Sequence, residues 1–465
     1  MSVVGRDTIT AISTARGRAA LAVVRLSGPE AVKIGASCFA GKDLGSVEPQ
    51  TVHFGRFVTA DGAEIDQVVA SVFHAPRSAT GEDVVEFSCH GGDFAPRLIL
   101  NALVASGARM AQPGEFTQRA FINGKMDLAQ AEAVADLIHA SSTLAHRMAV
   151  SQLEGRYSEV LSLLRNELLE LCSYVELELD FSEEDVEFAD RDRIRRLLLR
   201  VDEFATSLLE SYRTGALIRD GVRVVIGGQP NVGKSTLLNA LVGRDRAIVS
   251  EIPGTTRDEI EAELEIDGLL FRLVDTAGLR EAADLIEAEG VRRARRSIEG
   301  SDILIYVFDL REGLDEEESA LVRTTLSAHR RLPVVLVGNK SDVADRDVRI
   351  PEDLSTLPFV QLSARRGLTH TEETSGLVRL LVDTVDRDLS DTVASPVVVS
   401  DRHRNHLAGV VGAVRSAREA LDAGASGDAL SVDLRVALQE LGAITGEITN
   451  EDVLDQIFSR FCIGK

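Results

Sequence analysis

The eight residues GQPNVGKS, Gly228 to Ser235, constrain this chain more than any other stretch. They follow the apolar run VRVVIG and open the helix-like run STLLNALVG, so they sit where a strand turns into a helix. Glycines at such a junction let main-chain N–H groups wrap a phosphate, while Lys234 reaches the β and γ phosphates and the Ser235 hydroxyl ligates magnesium. Strand and helix signals then alternate from VRVVIGG to about Leu381, which predicts a mostly parallel sheet, and Asp267-Gly268 marks one antiparallel hairpin within it.

Further loops follow in order, the main ones after predicted strands. DTAG ends the strand FRLVD, so Asp275 can hold magnesium through water and Gly278 can approach the γ-phosphate, while PGTTRD upstream offers Thr256 as a second magnesium-side hydroxyl. NKSD ends the strand PVVLVGN, and a carboxylate at Asp342 can accept both the ring N–H and the exocyclic amine of guanine, whereas adenine would leave it unpaired. SAR follows FVQLSA and would close over the base. GTP is therefore the expected substrate. The expected nucleotide contacts are Asn231, Val232, Gly233, Lys234, Ser235 and Thr236, then Ser250, Glu251, Ile252, Pro253, Gly254, Thr255 and Thr256. Asp275, Thr276, Ala277 and Gly278 follow, with Asn339, Lys340, Asp342, Ser363, Ala364 and Arg365 on the base side. Ras-like switches carry a water-positioning glutamine after the glycine of the DTAG loop, but Leu279 stands there, so another group must orient the water.

With 465 residues, 44% hydrophobic and 27% charged, the chain has room for roughly two to four domains. Upstream, AALAVVRLSG reads as a buried strand, Asp61-Gly62 joins two more, and VVEFSCHGG ends in a glycine turn before a helix from about Phe94 to Ala105. Helical periodicity rules from about Met126 to Gly221 and returns from about Asp401 to Phe461. The expected division is 1–120 (mixed α and β), 121–218 (helical), 219–385 (phosphate-loop unit) and 386–465 (helical), with the third inserted into one helical domain. Ser182 and Asp185 form a plausible capping box in the acidic stretch DFSEEDVEFAD. Four cysteines without paired spacing indicate neither disulfides nor a zinc knuckle, and the start lacks a signal or transit pattern, so a cytoplasmic protein without a membrane role is expected. A net charge of −23 opposes binding of nucleic acid by the molecule as a whole.

The whole chain resembles the MnmE (TrmE) family of tRNA-modification GTPases. The resemblance is carried by TGEDVVEFSCHGG, PGEFTQRAFINGKMDLAQAEAVADLI, DFSEEDVEF, GQPNVGKSTLLNAL, GTTRD, DTAGLRE and FCIGK. It implies a multidomain α/β and α fold: an N-terminal α+β folate-binding-like domain, and a Ras-like G domain inserted into an all-helical one. It implies a homodimer whose G domains meet across their nucleotide faces, with a potassium ion held by Asn231, Ser250, Ile252 and Thr255 in place of an arginine finger. Glu287 would orient the attacking water through a second water, completing a catalytic set with Lys234 and Asn231; Arg257 and Arg280 are either further fingers or solvated charges. The folate, 5,10-methylenetetrahydrofolate or 5-formyltetrahydrofolate, would meet Arg25, Glu86, Lys125 and Lys465, with Cys462 a possible catalytic thiol. Read without the resemblance, Cys462 is a small buried apolar residue.

The resemblance further implies an MnmG-type FAD/NADH partner, in a heterotetramer or larger complex. The pair would add an aminomethyl or carboxymethylaminomethyl group to carbon 5 of wobble uridine in certain tRNAs. Much of the tRNA affinity would come from the partner or from local patches such as RRARR, Arg292 to Arg296. The alternatives are a ribosome-assembly or RNA-binding regulatory GTPase and a stand-alone folate-dependent methyltransferase with a regulatory G domain.

Overall fold

The computed structural model describes residues 7–15, 17–181, 191–243, 261–275, 298, 300–344, 350–389, 397–448, 451–459 and 461–465. They form two compact units. One comprises Met1–Ile138, Ser151–Glu203 and His406–Lys465, and the other His139–Val150 and Phe204–Asn405. The capping box at Ser182 and Asp185 and the patch Arg292 to Arg296 lie outside the described residues.

In the first unit, the strands are β1 (Ile9–Ile12), β2 (Leu21–Ser27), β3 (Phe39–Ala40), β4 (Thr51–Val58), β5 (Glu64–Phe73), β6 (Val84–His90) and β7 (Arg109–Met110). They make one sheet in the order β3-β4-β5-β6-β2-β1-β7. All neighbours run antiparallel except β1 and β7. The Asp61-Gly62 turn does join β4 to β5, with Gly62 at φ +82°. Alternation in LAVVRLS sends Val24 and Leu26 into a core shared with Phe57, Phe87, Ile99 and Leu103, where the Phe57 and Phe87 rings meet edge to face at 5.1 Å.

Two long helices follow from spacing of three and four. Helix Arg156–Phe181 buries Leu161, Leu164, Leu168, Leu171 and Val175. Helix Gly427–Thr445 buries Leu430, Leu434, Leu441 and Ile444, and the two pack together. Each fully buried leucine contributes roughly 1.5–3 kcal/mol relative to exposure. Among the described residues, no helix is long and apolar enough to cross a membrane.

In the second unit, the strands are β8 (Val222–Gly227), β9 (Glu261–Ile266), β10 (Leu269–Asp275), β11 (Ile303–Asp309), β12 (Val334–Asn339) and β13 (Phe359–Gln361). Their order is β13-β12-β11-β8-β10-β9, parallel except for the β9–β10 hairpin. β11 and β12 are buried at every position, as strands covered on both faces by helices must be. Residues 139–150, in the helical region before the sheet, also belong to this unit. Thr143 donates its N–H and hydroxyl to Glu265 at 3.0 and 2.7 Å, and Leu144 N–H donates to Gly268 O at 2.9 Å, which ties that stretch to the hairpin.

Candidate functional site

The phosphate loop leaves β8 at its C-terminal end. Gly228 takes φ +142° and Gly233 φ +98°, and a Cβ at either would run into neighbours, the Val307 carbonyl and the Asn339 amide respectively. Only glycine fits both positions. Asn231 adopts φ +62° and is exposed, while Val232 is buried against the sheet. Lys234 opens the helix Lys234–Val242 with 6% exposure, and its Nζ donates to the carbonyls of Gly228 at 3.0 Å and Gln229 at 2.7 Å. Ser235 and Thr236 occupy the first turn, Ser235 exposed, where helix N–H groups favour an anion and the hydroxyl suits a hard cation such as magnesium.

Asn339 joins this loop to the base-side loops. It ends β12 with 3% exposure; its Nδ2 donates to Val232 O at 2.7 Å, and its Oδ1 accepts from Ala364 N–H at 2.8 Å. Lys340 then turns at φ +66°, and Ser341 N–H meets Leu362 O at 3.2 Å. The fully buried Ser363 caps a short helical turn by accepting from Arg366 N–H, and its hydrogen bond holds the Asp342 carboxyl below its usual range. Asp342 is thereby ionised at neutral pH, as an acceptor for two N–H groups requires. Ala364 is buried beside it and Arg365 is exposed. Asp275 ends β10 opposite Ile226 of β8, one strand from the phosphate loop. Ser250, Glu251, Ile252, Pro253, Gly254, Thr255, Thr256, Thr276, Ala277, Gly278, Leu279, Glu287, Arg257 and Arg280 lie outside the described residues.

A second set gathers in the first unit. Arg25 of β2 and Glu86 of β6 are register partners, joined by an ion pair at 2.7 Å and each about one quarter exposed. The Arg25 guanidinium lies 5.6 Å from the Phe116 ring centroid. Phe116 N–H donates to Lys465 O at 3.2 Å, Gly114 N–H donates to Cys462 O at 3.4 Å, and Pro113 bridges Ile463. The C-terminal FCIGK is thus docked at the start of the helix Glu115–Ile122, which brings Arg25, Glu86 and the Lys465 main chain to one neighbourhood. Lys125 is exposed and donates to Pro76 O at 3.1 Å, apart from that cluster's hydrogen bonds. Cys462 is exposed, which corrects its reading as a buried apolar residue: the tail is held through its main chain and through Phe461, leaving the thiol outside.

Gly464 sits at φ +97°, and a Cβ there would collide with the Ile12 carbonyl. Gly464→Ala is expected to cost roughly 1–3 kcal/mol of local strain and to release the tail. Hydrogen exchange should then speed up at Phe116 N–H while β8 to β13 keep their protection; unchanged exchange at Phe116 would show that the docking does not depend on this glycine.

The model of the MnmE helical domain matches residues 128–462, and that of the GTP-binding protein TrmE N-terminus matches residues 8–125. A Salinibacter ruber protein named tRNA modification GTPase MnmE is 62% identical over 99% of this chain and 99% of its own. The chain belongs to the MnmE family. A Cytophaga hutchinsonii protein of the same name is 44% identical, over 99% of this chain and 98% of its own. Among solved structures, the G domain of the T. maritima FeoB iron transporter aligns with 34% of this chain and 98% of its own at 24% identity, but a TM-score of 0.25 carries no argument.

Sequence reading missed three features around these family motifs. The two-sided bridge made by Asn339, the cation cluster at Asp309 and the buried Arg119 all depend on partners far away in the chain. The only local trace of the third is Glu115 four residues before Arg119, a spacing that ordinarily marks an exposed helix pair.

Proposed function

We propose that this chain is a GTP hydrolase of tRNA modification whose turnover depends on potassium and on pairing of two G domains. With an MnmG-type FAD protein it adds an aminomethyl or carboxymethylaminomethyl group to carbon 5 of wobble uridine, using a tetrahydrofolate one-carbon donor. The observation that carries the nucleotide part is the Asn339 bridge, which holds the phosphate loop and the base-side loops in one frame within a member of this family. Lys234 neutralises phosphate charge, Asp342 reads guanine, and Ser235 supplies a magnesium-side oxygen, with Thr256 as its counterpart.

Asn231 stands exposed in the loop with an amide oxygen suited to potassium, and Ser250, Ile252 and Thr255 would complete that set. The cation would offset charge developing between the β and γ phosphates, while Glu287 orients the water. In the first unit, the Glu86 carboxylate suits the N–H and amine edge of a pterin, and Arg25, Lys125 and Lys465 suit an anionic glutamate tail. Residues 1–120 would be the N-terminal folate-binding and dimerisation domain, and residues 219–385 the G domain, inserted into a helical domain made of 121–218 and 386–465. The protein works in the cytoplasm. Family membership speaks against the ribosome-assembly alternative.

GTP hydrolysis is expected to run at least about tenfold faster in potassium than in sodium at equal ionic strength. Equal rates would remove the potassium element. Deleting the gene should abolish the modified wobble uridine in nucleoside mass spectra, and an unchanged spectrum would remove the tRNA assignment.

A further inference from the structure

Asp309 closes β11 with its side chain 6% exposed and both oxygens taken by cations. Oδ1 accepts from the main-chain N–H and Nε of Arg311, each at 3.0 Å. Oδ2 accepts from Arg311 Nη2 at 2.6 Å and from Lys340 Nζ at 2.7 Å. The hydrogen bonds from Arg311, with those of Lys340 behind them, outweigh burial and hold this carboxyl well below the usual carboxylate range. Asp309 is therefore a fixed anion that holds Lys340 of the base-side loop.

Lys340 is also the residue at which the loop turns. Its φ of +66° lies in the left-handed region, which a residue with a Cβ adopts at a cost and keeps where the surroundings over-determine it. The turn is what brings Ser341 N–H to Leu362 O and Asp342 to the Ser363 hydroxyl. The main chain is held on the strand side as well, because Leu310 N–H donates to Asn339 O at 3.0 Å, placing Asp309 and Asn339 side by side in register.

We propose that Asp309 is a positioning residue for guanine selection: by tethering Lys340 Nζ it holds the left-handed turn that aims Asp342 at the base. The inference rests on the GTP-binding reading above. Arg311 acts with it by gripping both carboxylate oxygens. An ion pair that merely stabilised the unit would leave the preference among bases untouched, whereas loss of this tether misplaces the one group that reads the guanine amine.

The test uses the full chain and two nucleotides, GTP and inosine triphosphate, which lacks the exocyclic amine. Affinities are measured for the unaltered chain, Asp309→Asn and Asp309→Ala, with thermal unfolding as the check on folding. Asp309→Asn keeps the volume and one acceptor oxygen but removes the charge and puts an amide donor in place of the other oxygen, and it carries the test if Asp309→Ala does not fold. The unaltered chain should prefer GTP, and the variants should lose about tenfold of that preference because GTP binding weakens more than inosine triphosphate binding. A folded variant with an unchanged ratio overturns the role of Asp309, even if both affinities fall together. An unaltered chain that binds neither nucleotide overturns the GTP reading and this inference with it.

Discussion

Arg119→Leu is expected to destabilise the first unit by about 3–5 kcal/mol, because it removes the cation from a buried cluster of carboxylates. The Arg119 side chain is 1% exposed; Nη2 meets Asp7 at 2.7 Å and Glu115 at 3.0 Å, and Nη1 meets Glu82 at 3.2 Å and the Asp7 carbonyl at 2.7 Å. Arg109 adds a second cation, at 2.6 Å from both Asp7 and Glu115. Glu82 relies on Arg119 for its ion pairing, with a further hydrogen bond from Ser27. Leucine fills similar space but leaves that carboxylate uncompensated. Denaturant melts read through probes in the first unit should show the loss, and a change under about 1 kcal/mol would mean that water or Arg109 takes over.

The pH dependence gives the same experiment a second readout. Burial pushes the Glu115 carboxyl up, but hydrogen bonds from Arg109, Gln112 N–H and Arg119 win, and its native value ends below the ordinary 4.5. A lowered native value stabilises the fold above the unfolded value and is lost as pH falls through the native one. The unaltered chain therefore loses stability on acidification below about 4.5. Arg119→Leu removes one of the hydrogen bonds that hold Glu115 low, so the variant should lose less stability than the unaltered chain as pH falls below about 4.5. Parallel pH profiles for the two proteins would contradict the cluster's role.

Gly233→Ala is expected to weaken GTP and GDP alike by about 100-fold or more. The added methyl meets the Asn339 amide at a backbone angle that alanine resists, so the loop must strain or Asn339 must move. The strain costs about 1–3 kcal/mol, and displacing Asn339 breaks buried hydrogen bonds to Val232 and Ala364 worth a similar amount each. At about 1.4 kcal/mol per tenfold, two of these terms reach the stated loss. Titration with a fluorescent GDP analogue measures it, while the first unit should melt as before. Binding within about threefold of the unaltered chain would show that the bridge can move without disturbing the site.

The phosphate loop and the base-side loops were legible because their information is local. A glycine that must take positive φ, an apolar strand before it and a helix after it are written within about a dozen residues, and the base-side loops follow β12 and β13, which lie on one side of β8. The Asp61-Gly62 hairpin was readable for the same reason. Burial of charge was not. Arg119, Glu82 and Asp7 look like ordinary surface charges until the helix Glu115–Ile122 is laid beside the first strands, and Asp309 looks like a loop residue until β11 and β12 are in register.

The phosphate loop therefore announces itself from torsional and periodic signals, but what holds it in place is long-range. Asn339 reaches Val232 across 107 residues of chain, and the C-terminal tail reaches Phe116 from the far end. Short-range steric rules dictate where a chain must turn and which face it buries. Which partners then satisfy a buried amide or carboxylate is decided only when distant elements close over it, because the cost of leaving such a group unpaired arises there.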